Sequence, residues 1–459
     1  MLRRSLVRMR FGLCAVAALA LVTGQLWQAQ PCLAGHQFFN NNAIGGISVS
    51  PDGVVGQQIV ESRELLLAAL KKSVKSPDRD LNMPVEMRMI SLARLEAAIE
   101  KARQENLGEL PEEIRYLAGI QRIQYILVYP EQNDIVLAGP GEGWRVDERT
   151  ASVVGITTGR PVILLDDLLV ALRTVEQARQ GGITVSIDPT AEGRQALRSY
   201  LSRQTTFDPK VLRGVEEALG LQQITVTGVP ADSHFARVLV ACDYKMKRLA
   251  MDLDKSPVKE LPSFVQMLVD KKVRPSNMMP RWWMECSYEP LARSEDGLAW
   301  ELRGPGVKAL TEDEFISTEG EVTQTGKENP IAREWADKMT DKYAELCERE
   351  PVFGELRNIM DMCVVAAVIE KEGLREKAGC ELPLLTASDS DLTVGRWNVP
   401  KTIATQVSHR RIGREHLITA SGGVQIGSWQ VASRAETDAQ MAALRDRAKG
   451  ESSERWWWN

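Results

Sequence analysis

Gln222–Met251, QQITVTGVPADSHFARVLVACDYKMKRLAM, is the stretch on which the reading of the fold turns. Its first part, with Ile224, Val226 and Val229 around Thr225 and Thr227, reads as a short β-branched strand ended by Gly228 and Pro230. A helix then begins, with Asp232 or Ser233 placed to accept hydrogen bonds from its first free amides. Phe235, Val238, Leu239, Cys242, Met246, Leu249 and Ala250 recur mostly three or four apart and form one apolar stripe. The opposite arc carries Arg237, Tyr244 and Arg248, with His234 and Lys245 on one flank and Lys247 on the other. One face is therefore expected in the core, and a cationic face is expected to look outward.

Upstream of this stretch, Val54 to Lys72 and Ser91 to Gln104 read as amphipathic helices. From Ile123 the period changes to two: Ile123, Tyr125, Leu127 and Tyr129 lead through a turn at Pro130 to Asp134 into Ile135 to Ala138. Trp144 and Val153 to Ile156 extend this into a meander. Leu164-Leu165-Asp166-Asp167 opens a helix to about Arg179, with acid at the end where the dipole favours it. Residues 188 to 222 read as largely helical. Gly-Gly pairs precede short β patterns at Gly45, Gly181 and Gly422, too short for repeats but suited to strands that approach closely.

Downstream, Trp283, Glu285, Ser287 and Glu289 alternate with Met284, Cys286 and Tyr288, and a turn at Ser294 to Gly297 leads to Leu298, Trp300 and Leu302. That is a one-sided hairpin, followed by a third short strand from Val307 to Leu310. Asn329-Pro330 starts a helix, and Val352 to Gly373 forms a second one that is apolar nearly all round. Ala387 to Arg414 is polar and unpatterned and reads as a linker, with a basic cluster at His409, Arg410, Arg411, Arg414 and His416. A strand from Leu417 to Trp429 and a helix to Lys449 close the chain before Trp456-Trp457-Trp458.

The string VPADSHFARVLVACDYKMKRLAM, with PRWWMECSYEP, AWELRGPGVKALTEDEF and VFGELRNIMDMCVVAAVI downstream and YLAGIQRIQYILVYPE, DIVLAGPGEGWRVD and TGRPVILLDDLLVALR upstream, resembles an exported planctomycete family known only as a domain of unknown function. The resemblance covers most of residues 110 to 375. It implies an envelope or extracellular setting and brings no activity, cofactor or catalytic residue.

The N-terminus points the same way. Arg3, Arg4, Arg8 and Arg10 precede an apolar run from Phe11 to Val22, a length suited to a signal peptide and short of a membrane span. Cleavage after Ala34 would leave Gly35 first; an uncleaved N-terminal anchor is the alternative. No later stretch is long and apolar enough to span a membrane. The chain carries a net charge of −5, and loss of residues 1–34 removes four arginines and no acid. So acidic a surface argues against general nucleic-acid binding. Cys242, Cys286, Cys347, Cys363 and Cys380 are odd in number and widely spaced, which suits neither a disulfide framework nor a zinc site.

Candidate chemistry is sparse. Asp232, Ser233, His234 and Asp243 are the acid-base candidates near the central helix, but Ser233 and His234 are sequence neighbours whose side chains diverge, and capping accounts for the first two. Asp243 and Lys247 make one i,i+4 pair. Gly139 to Gly143 lacks the lysine and hydroxyl of a phosphate loop. Glu289 and Glu301 are equidistant from Glu295, so a symmetric hairpin sets them face to face, as a hydrolase's carboxylates would be, with Arg303 close enough to neutralise one. Arg237, Tyr244, Lys245 and Arg248 are the binding candidates, suited to a phosphate, an acidic glycan or an acidic partner surface. The histidines show no metal spacing, and His409 and His416 read as solvated. The Trp456 to Trp458 tail is read either as an anchor for a membrane interface or partner groove, or as folding back on the protein itself.

These readings give an α+β protein of antiparallel sheet units with packed helices, in two domains after a signal peptide at 1–34. The units are 44–188 and 189–383, then a linker at 384–414 and a terminal part at 415–459. No metal and no cofactor are expected. The leading expectation is an exported, non-catalytic binding or scaffold protein with an acidic envelope component or partner protein as its target; the alternative is a secreted hydrolase.

Overall fold

Two sheets organise the molecule, and both draw strands from distant parts of the chain. The computed structural model describes residues 79–459 apart from 106–109, 205–209, 275–279, 313, 317–321, 325–328, 413 and 451–454, together with 47–49, 54–57, 74 and 77. The expected signal segment lies outside the described residues. The larger sheet runs Ile47–Val49, Val54–Gln57, Thr402–Ala404, Leu221–Thr227, Ile183–Pro189, Ser421–Ile426, Arg281–Ser287 and Gly306–Glu312. The second runs Ala435–Thr437, Leu291–Arg293, Ala299–Glu301, Tyr125–Tyr129, Asp134–Gly141, Val85–Ser91 and Trp457–Trp458. With helices packed on them, the class is α+β.

All three Gly-Gly entrances lead into the larger sheet, and the Ile183 and Ser421 strands are direct neighbours. The close approach is real there. A Cβ on Gly422, whose φ is +130°, would lie 1.6 Å from the Trp282 carbonyl oxygen, and one on Gly423 would lie 1.8 Å from that of Val185.

Ser233, not Asp232, caps the central helix His234–Ala250: its Oγ accepts from the Ala236 amide at 3.1 Å and donates to the Pro230 carbonyl at 2.7 Å. This helix is buried on every side, with Lys245 its only residue outside the buried class. The larger sheet packs on it through the Ile183 and Ser421 strands, and the helices Pro351–Lys371 and Leu165–Arg173 cover the rest. The cationic arc is therefore interior, which overturns the outward-facing expectation. Apolar periodicity identified the side facing one neighbour and could not show that charged partners from elsewhere in the chain would close over the other.

The expected boundary at 188/189 falls inside the Ile183–Pro189 strand, which is bonded along its length to Leu221–Thr227. From Asn40 to Asn459 the chain forms one compact unit. The expected linker is likewise part of that unit: Thr402–Ala404 enters the larger sheet, and Ser408–Ile412 pairs with Arg414–Ile418. Its strands are short and rich in polar residues, so no apolar alternation marks them. The helix expected from Val54 begins instead as the strand Val54–Gln57, whose β-branched Val54 and Val55 pair with Thr402 and Ile403; residues 58–72 lie outside the described part. The strand expected over Leu417 to Trp429 breaks at Thr419-Ala420 and ends in the short helix Ser428–Ala432.

The tryptophan hairpin is split between the sheets. Arg281–Ser287 pairs with Gly306–Glu312 in the larger sheet, whereas Leu291–Arg293 pairs with Ala299–Glu301 in the second. The terminal tryptophans fold back: Trp457 pairs with Ile90 and Trp458 with Met89, and the Arg455 guanidinium lies 4.4 Å from the Trp457 ring centroid. Pro351–Lys371 is buried along almost its whole length, as its composition implied.

Candidate functional site

The two catalytic candidates, Glu289 and Glu301, do not stand opposite one another. The Glu289 amide donates to the Arg303 carbonyl at 3.0 Å, so Glu289 stands opposite Arg303, while Glu301 stands opposite Ala292. Glu301 accepts from Arg303 Nε at 2.7 Å, and Arg303 also grips Asp438 at 2.5 Å. The carboxylate pair is thus replaced by an ion-pair network, because the break between the paired segments shifts the hairpin's register.

The binding candidates divide along the helix. At its C-terminal end every cation is engaged. Lys245 pairs with Asp254 at 3.1 Å and Glu350 at 3.3 Å. Arg248 donates to Gln406 Oε1 at 2.5 Å, to Asp254 Oδ1 at 2.7 Å and to the Leu253 carbonyl at 3.3 Å, and its guanidinium lies 5.6 Å from the Tyr244 ring centroid. Lys247 donates to Asp243 Oδ2 at 2.7 Å and to the carbonyls of Ile187 and Gly422, both at 3.2 Å. Those carbonyls lie where the Ile183 and Ser421 strands stop pairing, so the ammonium replaces the missing ladder donors. Burial pushes the Asp243 carboxyl up to about 6, against the pull of Lys247. Tyr244, Lys247 and Arg248 also line a small pocket with Gln222, Gln406 and Thr419.

The N-terminal end differs. His234 Nδ1 lies 2.8 Å from Asp167 Oδ2 and 3.1 Å from Oδ1, with both residues buried. Burial alone would lower the imidazole pKa, but Asp167 more than offsets it, by charge and by hydrogen bond, and the net shift is upward. One turn on, Arg237 is 3% exposed, and its Nη2 is sealed from solvent and meets no acceptor among the described residues. Its guanidinium lies 5.3 Å from the Trp397 ring centroid, and the same indole meets His234 edge-on at 4.7 Å. Burial lowers the guanidinium pKa to about 10, opposed by the charge of Glu355. Glu355, partway along Pro351–Lys371, has a sealed Oε2 without a partner, and burial raises its pKa against the influence of His234 and the Ser152 hydroxyl.

Three helices and one irregular segment meet here. Leu165–Arg173 supplies Asp167 and Asp166, the central helix supplies His234 and Arg237, and Pro351–Lys371 supplies Glu355. Residues 387–401 lay Trp397 across the top, tied down by the Gly395 amide to Asp166 Oδ2 at 3.1 Å and the Trp397 amide to the Asp232 carbonyl at 2.7 Å. The histidine–aspartate pair is the arrangement that orients an imidazole for proton transfer, but among the described residues no hydroxyl or thiol is hydrogen-bonded to its other nitrogen. Ser233 is spent on its cap. The arrangement is suited to holding a polar group, with no activated nucleophile beside it.

Sequence reasoning missed Asp167, Glu355 and Trp397 as site residues. The usable signal was charge inside apolar context: Glu355 follows Val-Phe-Gly in a helix read as buried, and Asp167 sits between leucine pairs. Trp397 gave no such signal. Among the remaining candidates, His416 is buried in the Arg414–Ile418 strand, against the expectation of solvation, and Arg410 is paired with Asp252. The glycine-rich turn at 139–143 is a strand end. Its Glu142 accepts from Gln121 Nε2 at 2.6 Å and from the Thr157 and Thr158 amides at 2.9 and 3.0 Å.

Fold and site together define an α+β protein with a closed polar junction around one buried helix. Residues 185–264 match a family described as a protein of unknown function (DUF1598). No curated protein and no solved structure matches the chain. The matched segment holds the whole central helix, while Asp167, Glu355 and Trp397 come from outside it.

Proposed function

We propose that this is an exported, non-catalytic binding protein of the envelope or extracellular space, whose ligand site is the junction of His234, Arg237, Asp167 and Glu355 beneath Trp397. One observation carries the binding reading: Arg237, 3% exposed, has a sealed Nη2 that meets no acceptor among the described residues. A buried charge without partners costs several kcal/mol in principle, so its persistence is best explained by a group that completes it. Export rests on the arginine-led apolar run at the N-terminus. The hydrolase alternative loses its support because Glu289 and Glu301 do not stand opposite one another.

Export is tested by fractionation and N-terminal sequencing, with a mature chain starting at Gly35 expected. Binding is tested by ligand-observed NMR of the purified protein against a mixed small-molecule library, comparing wild type with Arg237→Met. At least one compound should bind the wild type and not the variant; identical binding profiles would remove Arg237 from the site.

A further inference from the structure

We infer that the junction takes a neutral polyol of the monosaccharide class, with one hydroxyl held jointly by Arg237 and Glu355. The inference rests on the junction being a ligand site and narrows what enters it. Arg237 and Glu355 each feel the other's charge, yet Arg237 Nη2 and Glu355 Oε2 both stay without a hydrogen-bond partner among the described residues. Both atoms are sealed from solvent, and a bridging group would satisfy both. The orphans left over are one donor, Arg237 Nη2, and one acceptor, Glu355 Oε2. A hydroxyl is a single group that both accepts and donates, and so satisfies both.

Charge excludes the alternatives expected from the sequence. Asp167 and Glu355 act on His234 and Glu355 on Arg237, while Arg115 and Arg173 answer Asp166, and His234 is already committed to Asp167. A phosphate or carboxylate would sit against Glu355 with no surplus cation to hold it, and a cationic ligand would meet Arg237. A neutral ligand escapes both penalties. The partly buried Trp397 indole adds an apolar platform for the C–H face of a sugar ring, where the guanidinium now rests. Entry requires Trp397 to lift. It stands on a segment without helix or strand, and Gly395 lets that segment lie close to Asp166, where a Cβ would come within 2.8 Å of Oδ2.

The test uses the purified chain with glucose and N-acetylglucosamine as neutral probes, and glucuronate and inorganic phosphate as anionic ones. Binding is read by saturation-transfer NMR and calorimetry. A neutral sugar should bind, and Arg237→Gln and Glu355→Gln should each weaken it by about tenfold or more. Trp397→Ala should remove saturation transfer to the ring protons. Glu355→Gln is nearly isosteric and keeps the test valid if the arginine variant fails to fold. Arg237-dependent binding of phosphate or glucuronate without neutral sugars would overturn the ligand class while leaving the site in place. Binding of no probe, with an ordered water joining Arg237 and Glu355 in a crystal structure, would overturn both.

Discussion

Arg237 and Arg248 lie three turns apart on one helix and on one arc, and their surroundings are opposite. Arg248 meets a carboxylate, an amide oxygen and a carbonyl, while Arg237 meets an indole face and, among the described residues, no acceptor for its sealed Nη2. Both are almost completely buried. Burial therefore does not separate a structural cation from a functional one; completeness of hydrogen bonding does. The C-terminal half of the central helix is a closed network that ties it to the larger sheet, and the N-terminal half is an open one.

The comparison is tested most severely at Lys247. Replacement by methionine strands Asp243, which is 0% exposed, and leaves the Ile187 and Gly422 carbonyls without their donor. A loss of about 3 to 5 kcal/mol is expected in urea unfolding, and the Asp243→Leu/Lys247→Met double variant should recover much of it. Without Lys247 to lower it, the Asp243 carboxyl takes up its proton above about 6, so the deficit of the single variant should narrow as pH falls toward 6 and level off below it. Arg248→Met should cost about 2 kcal/mol, since Asp254 keeps Lys245. Arg237→Met should fall within about 1 kcal/mol of wild type in either direction, because the relief of a buried guanidinium is offset by the loss of its charge beside Glu355. An arginine 237 variant less stable than its arginine 248 counterpart would invert the comparison.

The same contrast explains what could be read from the letters alone. The helix, its serine cap, the Gly-Gly strand entrances and the buried Pro351–Lys371 helix were legible because each depends on local spacing. The inward fate of the cationic arc was not, because the acids that meet it, Asp254 and Glu350, come from a turn and from a distant helix start. Trp397 was hidden in a stretch without pattern, since a segment that covers a site with one residue need not repeat. The hairpin carboxylates failed for a related reason: symmetry about Glu295 assumes continuous pairing, and the chain changes sheets between Ser287 and Leu291.

The smallest expected effect is the pH dependence of the His234–Asp167 pair. The folded pKa of His234 lies above the ordinary value of 6.5, because Asp167 favours the imidazolium more than burial disfavours it. A group raised in this way contributes its stabilisation in full below the unfolded value and loses it as pH rises through the folded one. Asp166 and Glu355 are also raised, chiefly by burial, and each loses stabilisation as pH rises from its ordinary value of 3.8 or 4.5 through its folded value, in the variant as in the wild type. Arg237 stays charged across this range and does not contribute to the slope. The stability gap between wild type and Asp167→Asn should therefore be widest near pH 6 and narrow steadily toward pH 9, measured by urea unfolding at each pH. A gap that widens with pH would mean that the imidazole is held neutral. His234 would then reach Asp167 as an uncharged donor, and the junction would carry one positive charge fewer than its geometry implies.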